Sequence, residues 1–152
     1  MKTELSLKQF VPSTVCLKCD GCCRYKEADS IWRPATPDGD IKTTHCGSGH
    51  LCRFLNAADN TCGVYAQRPF ECSLYPFIIS KTPEAVKLYA HLSCPFVQDH
   101  QPLPEFDAYV EYLKDFFSRP DIRKFLIDNK AMFHDYTPYA MELLYLFDLS
   151  LS

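Results

Sequence analysis

The chain has 152 residues and a formal net charge of -3, and 47% of its residues are apolar. This length and composition predict a single folded domain over residues 1–152 and exclude a disordered chain. The small acidic charge and the lack of a long basic run argue against nucleic-acid or membrane partners. No stretch reaches the ~18 apolar residues of a membrane span, and the first residues lack a secretory signal. We therefore expect a cytoplasmic protein whose thiols are reduced.

The cysteines divide the chain into two parts. All nine lie between Cys16 and Cys94, and their local density exceeds the ~8–10% that marks a cysteine scaffold. All five glycines also lie in this front part. The sequence therefore predicts a small α+β domain. In it, an irregular, cysteine-rich metal-binding region (16–96) precedes a helical packing region (104–150).

Residues 16–23, CLKCDGCC, contain four of the cysteines. Two cysteines separated by two residues turn both sulfurs towards one point when the loop between them folds back, and so supply two ligands of a tetrahedral metal site. Cys16 and Cys19 form one such pair, and Cys19 and Cys22 form a second. Cys23 follows directly and is expected to point elsewhere. The motif therefore predicts part of a metal site, with further ligands from later in the chain.

Aromatic residues flank this motif on both sides. Phe10, together with Val11, is expected to pack against it from the N-terminal side. Trp32 follows it and would shield the metal from water, since solvent access affects the stability of such a centre; plain core packing is the alternative. Residues 24–50 are otherwise expected to be irregular, with one short element around Ile41, because their prolines and glycines mark turns.

His45 and His50 lie on either side of Cys46 and have two interpretations. Mixed Cys/His sites bind zinc, and these three residues would supply both types of ligand. The alternative is that histidines in a loop rich in glycine and serine are simply exposed. A further histidine, His91, is expected in a strand as a core or surface residue.

The second group of cysteines follows in a turn-rich stretch. It consists of Cys52, Cys62 and Cys72, and Cys94 closes the series directly before a proline. Iron–sulfur ferredoxins combine close runs of cysteines with a distant Cys-Pro pair. Four thiolates also satisfy zinc, so the spacing predicts a metal without choosing its identity. Buried thiols or disulfides are the alternative, which a reducing compartment disfavours.

Local patterns predict a hairpin and helices in the rest of the chain. The apolar runs 77–80 and 85–92 would pair across a turn containing Pro83. A helix is predicted where apolar residues recur on one face, namely Phe106, Tyr109, Val110, Leu113, Phe116 and Phe117. Pro120 begins a further helical turn, in which Ile122, Phe125 and Leu126 repeat the spacing. Thr137-Pro138 resembles a helix start, which predicts a last helix up to Phe147.

Several residues at fixed spacings carry a family resemblance. After the CLKCDGCC motif they are Cys52 with Phe54 and Leu55, Cys62 with Val64 and Tyr65, Arg68-Pro69, and Cys72 with Tyr75-Pro76-Phe77. On these residues the chain resembles the YkgJ-type cysteine-cluster family of zinc- or iron-chelating domains, which has a CxxCxxCC signature. The resemblance covers roughly residues 16–96. The cluster is also similar to that of flagellin lysine-N-methylase, an iron–sulfur-associated enzyme.

The resemblance implies a set of metal ligands. They are Cys16, Cys19, Cys22, Cys23, Cys52, Cys62, Cys72 and Cys94. Cys46 lies outside the pattern. Arg68 matches the Arg-Pro pair of the family, and a guanidinium beside thiolates would offset their charge and donate hydrogen bonds to sulfur. An ordinary ion pair that holds a turn is the alternative role for Arg68.

Three functions are compatible with these residues. The first is an iron–sulfur protein with a 4Fe–4S cluster, which works in electron transfer or as an accessory to a protein-modifying enzyme. The second is a zinc-binding structural or interaction module with one or two four-cysteine sites. The third is a small protein-modifying enzyme that depends on the cluster. No catalytic motif, substrate site or particular protein partner is recognised in the sequence.

Overall fold

The structure, a computed structural model, describes residues 7–12, 24–46, 49–56, 58, 61–63 and 69–150. It contains helices and sheets, which confirms the predicted α+β class. The strands are Arg24–Tyr25 (β1), Ala35–Thr36 (β2), Gly39–Asp40 (β3), Thr43–Cys46 (β4), Gly49–Cys52 (β5), Leu55–Asn56 (β6), Thr61–Cys62 (β7), Phe77–Lys81 (β8), Val86–His91 (β9) and Leu143–Leu149 (β10). The helices are Phe70–Leu74 (α1), Pro95–His100 (α2), Pro104–Ser118 (α3) and Pro120–Asp128 (α4), and short 3-10 helices cover Lys130–Met132 and Thr137–Glu142.

Short antiparallel strands form the cysteine-rich front of the protein. β5 lies between β1 and β4 in a three-stranded sheet, and β2–β3 and β6–β7 form separate pairs. In the β2–β3 hairpin Gly39 has φ 119, a backbone conformation that favours glycine. Ile41, directly after this hairpin, is buried, and its N–H donates to the Pro34 carbonyl oxygen at 2.9 Å. The expectation of an irregular segment over residues 24–50 is therefore wrong in part, because its turns separate regular strands.

A second sheet contains β9 in the centre, with β8 on one side and β10 on the other. β8 and β9 pair antiparallel, with Phe77 opposite Ala90 and Lys81 opposite Val86, which confirms the predicted hairpin. Hydrogen bonds between Thr82 and Ala85 close its turn: the Thr82 N–H donates to the Ala85 carbonyl oxygen at 2.8 Å. This sheet carries one of the predicted ligands, since Cys94 follows β9 closely.

The two long helices agree with the apolar periodicity of the sequence. α3 buries the apolar residues that were predicted for one of its faces, apart from Val110, which is half-buried. α4 buries Ile122 and Leu126. Each helix begins at a proline, whose fixed φ suits the first helical position and whose missing N–H is not needed there. The predicted boundary at Pro120 is confirmed.

The last predicted helix is wrong. Thr137 lies inside a short 3-10 helix that ends at Glu142, and the chain then continues as the strand β10 rather than as a helix to Phe147. β10 pairs with β9 over six positions, which satisfies the backbone hydrogen-bonding groups that face β9. A bulge between Tyr145 and Phe147 shifts its register. Residues 143–147 (LLYLF) are all apolar, so they lack the alternation of apolar and polar residues by which a strand is normally recognised.

Two hydrophobic clusters hold the protein together. The main core contains the sheet of β8 and β9, the faces of α3 and α4, and Val11. Phe10 packs edge-on against Phe77, Phe96 and Phe106 with centroid distances of 5.6, 5.3 and 5.8 Å. Phe10 and Val11 thus pack against the main core. Their predicted packing against the cysteine motif stays a prediction, because residues 16–23 lie outside the described residues.

The second cluster is smaller and lies in the front of the protein. Tyr25, Ile41 and Cys52 form its buried part, and Trp32, Phe54, Leu55 and Cys72 pack against it. We refer to these seven residues as the second cluster. It contains Cys52 and Cys72, two of the predicted metal ligands, and Trp32, the residue that was predicted to shield the metal.

Hydrogen bonds from residues 31–40 to the later part of the chain form a junction. The Asp40 Oδ1 atom lies 3.0 Å from the His134 Nε2 atom. The Tyr136 hydroxyl donates to the Ile31 carbonyl oxygen at 3.2 Å. The Ala35 N–H donates to Glu71 Oε2 at 3.1 Å. We call these three contacts the junction, since they join the front strands to α1 and to the segment after α4.

Candidate functional site

The structure describes about half of the predicted metal ligands. Cys52, Cys62, Cys72 and Cys94 are described, whereas Cys16, Cys19, Cys22 and Cys23 lie outside the described residues. Arg68 also lies outside them, so its predicted role beside the thiolates stays a prediction.

Cys52 and Cys72 are brought together although they come from different elements. Cys52 ends β5 and is 6% exposed, and Cys72 lies in the short helix α1 and is half-buried. Both belong to the second cluster, where the surrounding side chains are aromatic or aliphatic. Two thiols from separate segments therefore share one apolar environment, as a metal site built from several segments requires.

Cys62 lies close to the second cluster along the chain. It is half-buried in β7, directly opposite Leu55 of β6. The next N–H, of Gly63, donates to the Phe54 carbonyl oxygen at 2.7 Å. Since Phe54 and Leu55 are members of the second cluster, the β6–β7 pair places Cys62 at its border.

Cys94 occupies a different environment. It is buried in the main core, directly before α2, and its N–H donates to the His91 carbonyl oxygen at 3.3 Å. The structure thus groups Cys52 and Cys72 in one cluster and Cys94 in the other. Cys46, which the sequence pattern leaves out, is exposed on β4.

Trp32 links the second cluster to the end of β9 and to the segment after α4. It packs against the second cluster, and its ring stacks on His91 with a centroid distance of 4.4 Å and an interplanar angle of 11°. The Trp32 ring also stacks on Tyr136, with a centroid distance of 5.3 Å, and makes a T-shaped contact with Tyr139 at 5.1 Å. These contacts agree with core packing, and the shielding of a metal by Trp32 stays a prediction.

His91 lies at the end of strand β9, as predicted, and is a candidate site residue that the sequence interpretation treated only as a core or surface residue. It is 7% exposed at the end of β9, and its Nδ1 atom lies 2.8 Å from the Tyr75 hydroxyl. Its Nε2 atom is buried and has no hydrogen-bond partner among the described residues. Burial lowers the pKa of His91, which favours the neutral imidazole. The spacing His91-x-x-Cys94 is a metal-ligand spacing and is the signal that could have identified it.

A polar group lies beside the second cluster. Asp40 accepts a hydrogen bond from Arg33 NH2 at 3.3 Å and contacts His134 across the junction. Burial raises the pKa of Glu71 to about 7, the Ala35 N–H opposes this shift, and the negative charge of Asp40 adds to it. The carboxylates look scattered in the sequence, but the fold brings these two near each other.

The described residues alone do not form a complete metal site. Among them, no group of three or more His, Cys, Asp or Glu side chains could hold a metal ion. A four-thiolate site would therefore have to include cysteines from residues 16–23. The donors that are described fit such a site chemically, because Cys52 and Cys72 are soft ligands in apolar surroundings and the buried His91 Nε2 atom is unsatisfied.

Comparisons with known proteins found no match to this chain among family models, curated proteins or solved structures. The resemblance to the YkgJ-type family therefore stays an expectation. Within the described residues, no helix combines the length and the apolar character needed to cross a membrane.

Proposed function

We propose that this protein binds a metal centre, an iron–sulfur cluster of the 4Fe–4S type, through its cysteine thiolates. Its role would be electron transfer or support of a protein-modifying enzyme, as the resemblance to the YkgJ-type family implies. The proposed ligands are drawn from the eight cysteines of the family pattern, with Arg68 and Trp32 beside them. Thiolates are the usual ligands of iron–sulfur clusters.

The observation that carries this proposal is the position of Cys52 and Cys72. The sequence groups them only by spacing, and the fold places both in the second cluster. Cysteines are often buried as small apolar residues. Here, however, two cysteines from different segments belong to the same cluster as Trp32, whose ring stacks on His91, and the buried His91 Nε2 atom has no hydrogen-bond partner among the described residues. Unpaired buried polar atoms are uncommon in proteins and call for an explanation such as a bound ion.

The apolar surroundings favour an iron–sulfur cluster over zinc. The reduction potential of such a cluster depends on its solvent exposure and on hydrogen bonds to its sulfurs. The aromatic side chains Tyr25, Trp32 and Phe54 of the second cluster would restrict water. Arg68 would be available as a hydrogen-bond donor to the sulfurs. A structural zinc site needs four ligands and no such dry environment.

Purification without oxygen tests the proposal directly. Protein that holds an iron–sulfur cluster should be brown, absorb broadly in the visible range and contain equimolar iron and acid-labile sulfide. Colourless protein with stoichiometric zinc would contradict the iron–sulfur assignment and support the zinc module. Protein without any bound metal would contradict both.

A further inference from the structure

We propose that His45 and His50 form a second metal site, which binds a divalent transition-metal cation through two imidazoles. The two residues lie directly opposite each other on the antiparallel strands β4 and β5. Their ring centroids are 5.3 Å apart, with an interplanar angle of 72°. The inference rests on this histidine pair alone and does not depend on the proposed cysteine centre, one of whose proposed ligands, Cys52, lies two residues further along β5.

The distance between the two rings agrees with binding to one cation. When two imidazole nitrogens bind one zinc ion at about 2.0–2.1 Å with near-tetrahedral angles, their ring centroids are about 5 Å apart. The observed 5.3 Å is close to this value. The separation of the two rings therefore matches that of a chelating pair, and the register of β4 and β5 sets it.

The sheet holds the pair in place. β5 is the central strand, and Tyr25 of β1 lies opposite His50 on the other side. A Cβ atom at Gly49 would lie 3.1 Å from the Tyr25 carbonyl oxygen, so glycine permits the close approach of β1. His50 is thus half-buried, whereas His45 is exposed on an outer strand where a cation can reach it. Such preorganisation reduces the entropy that is lost on binding.

The geometry also separates this site from Cys46. Successive side chains of a strand point to opposite faces, so Cys46 lies on the face of β4 opposite His45. The mixed Cys/His site that the sequence suggested is therefore not the arrangement of the fold. The described residues supply no third His, Cys, Asp or Glu ligand, and water would complete the coordination. Imidazole ligands suit Ni²⁺, Cu²⁺ and Zn²⁺.

A nickel titration of the protein, as purified, tests this inference. Calorimetry should show one Ni²⁺ per chain that is lost in the double variant His45→Gln/His50→Gln. Each single variant should bind this ion about a hundredfold more weakly, because one ligand of a chelating pair is removed. Paramagnetic Ni²⁺ should also broaden the NMR signals of β4 and β5 before those of α3 or α4.

Two matched variants serve as controls. Cys46→Ser removes the neighbouring thiol and His100→Gln removes an imidazole elsewhere, and both should bind Ni²⁺ as the unchanged protein does. Cys46→Ser should keep the unchanged melting temperature within about 2 °C, because Cys46 is exposed. The melting temperature of each histidine variant is measured as well, since His50 and His100 are half-buried and His100 stacks on Phe96. Retained binding in the double variant, or loss of binding in Cys46→Ser, would overturn the inference. A protein whose cysteines hold no metal would contradict the proposed function and leave this site unaffected.

Discussion

Cys72 and Cys46 carry the same thiol group in opposite surroundings. Cys72 packs against the second cluster, beside Trp32 and Cys52. Cys46 is exposed on β4 and belongs to neither hydrophobic cluster. Since metal binding to thiolates is coupled to folding, the two residues should respond differently to the same substitution.

We expect Cys72→Ser to lower the metal content and to destabilise the protein by several kcal/mol, because a ligand and its coupled folding free energy are lost. Cys46→Ser should do neither. Elemental analysis of protein purified without oxygen and unfolding in urea measure both effects. If Cys46→Ser removes the metal, the proposed set of ligands is wrong.

Glu71 is the described residue whose charge is most strongly affected by the fold. Its pKa of about 7 in the folded protein is higher than the ordinary value of 4.5, chiefly because of burial, with the charge of Asp40 adding to the shift. The protonated carboxyl is therefore favoured by folding. Its contribution to stability is complete below pH 4.5 and is lost as the pH rises through 7.

Glu71→Gln should therefore change the dependence of stability on pH. The glutamine can still accept the Ala35 N–H but carries no charge. Near pH 5 the variant and the unchanged protein should have similar free energies of unfolding. At pH 8 the variant should be more stable by about 2–3 kcal/mol, since the charged carboxylate is no longer buried. Urea unfolding at several pH values measures this, and parallel curves would contradict it.

At the scale of the elements, the sequence predicted those helices and strands that are determined by residues close together in the chain. The β8–β9 hairpin and α3 agree with the sequence because apolar periodicity and turn residues define them within a short window. β10 was not predictable in this way. Its nearly uninterrupted apolar sequence lacks the alternation of a half-buried strand, and its conformation is fixed by pairing with β9, which is more than fifty residues away along the chain. Tertiary pairing therefore overrides the helix-like start at Thr137.

The same division applies to the candidate site. The sequence predicted Cys52, Cys62 and Cys72 as ligands from the cysteine pattern and the family resemblance. The spacing His91-x-x-Cys94 was available as a signal, but the burial of His91 and the ring of Trp32 stacked on it come from the fold. Such contacts between distant segments become visible only in the folded chain.

The second sheet should be sensitive to truncation at its centre. Leu88 of β9 is fully buried in the main core, so Leu88→Ala should lower the free energy of unfolding by about 2–5 kcal/mol. Met141 is 97% exposed, and Met141→Ala should change it by less than about 0.5 kcal/mol. Chemical denaturation of the two variants provides the comparison. Equal effects would argue against the sheet as the stable centre of the fold.

At the scale of the whole molecule, the junction connects the cysteine-rich front with the helical part. Its three contacts join residues 31–40 to Glu71, His134 and Tyr136. Trp32, the only tryptophan of the chain, lies beside these contacts and stacks on His91. If residues 1–152 form one domain, as expected, the front and the helical part should unfold together, and this can be measured.

Trp32 fluorescence and far-ultraviolet circular dichroism should report a single unfolding transition. The fluorescence follows the junction, whereas the dichroism follows mainly α3 and α4. Coincident midpoints are expected for one cooperative unit. A fluorescence change at clearly lower denaturant than the loss of helix would instead indicate that the front unfolds separately, and the single-domain prediction would then be wrong.

The junction also has a consequence for the order in which the protein is made. A ribosome synthesises the chain from its N-terminus, so Ile31 and Asp40 emerge long before their partners Tyr136 and His134 exist. Contacts of such large sequence separation form late in folding. The front strands therefore cannot reach their final packing on the nascent chain until residues 134–136 have left the ribosome. The contacts that join the cysteine-rich front to the rest of the protein would thus form only after α3 and α4 have been made.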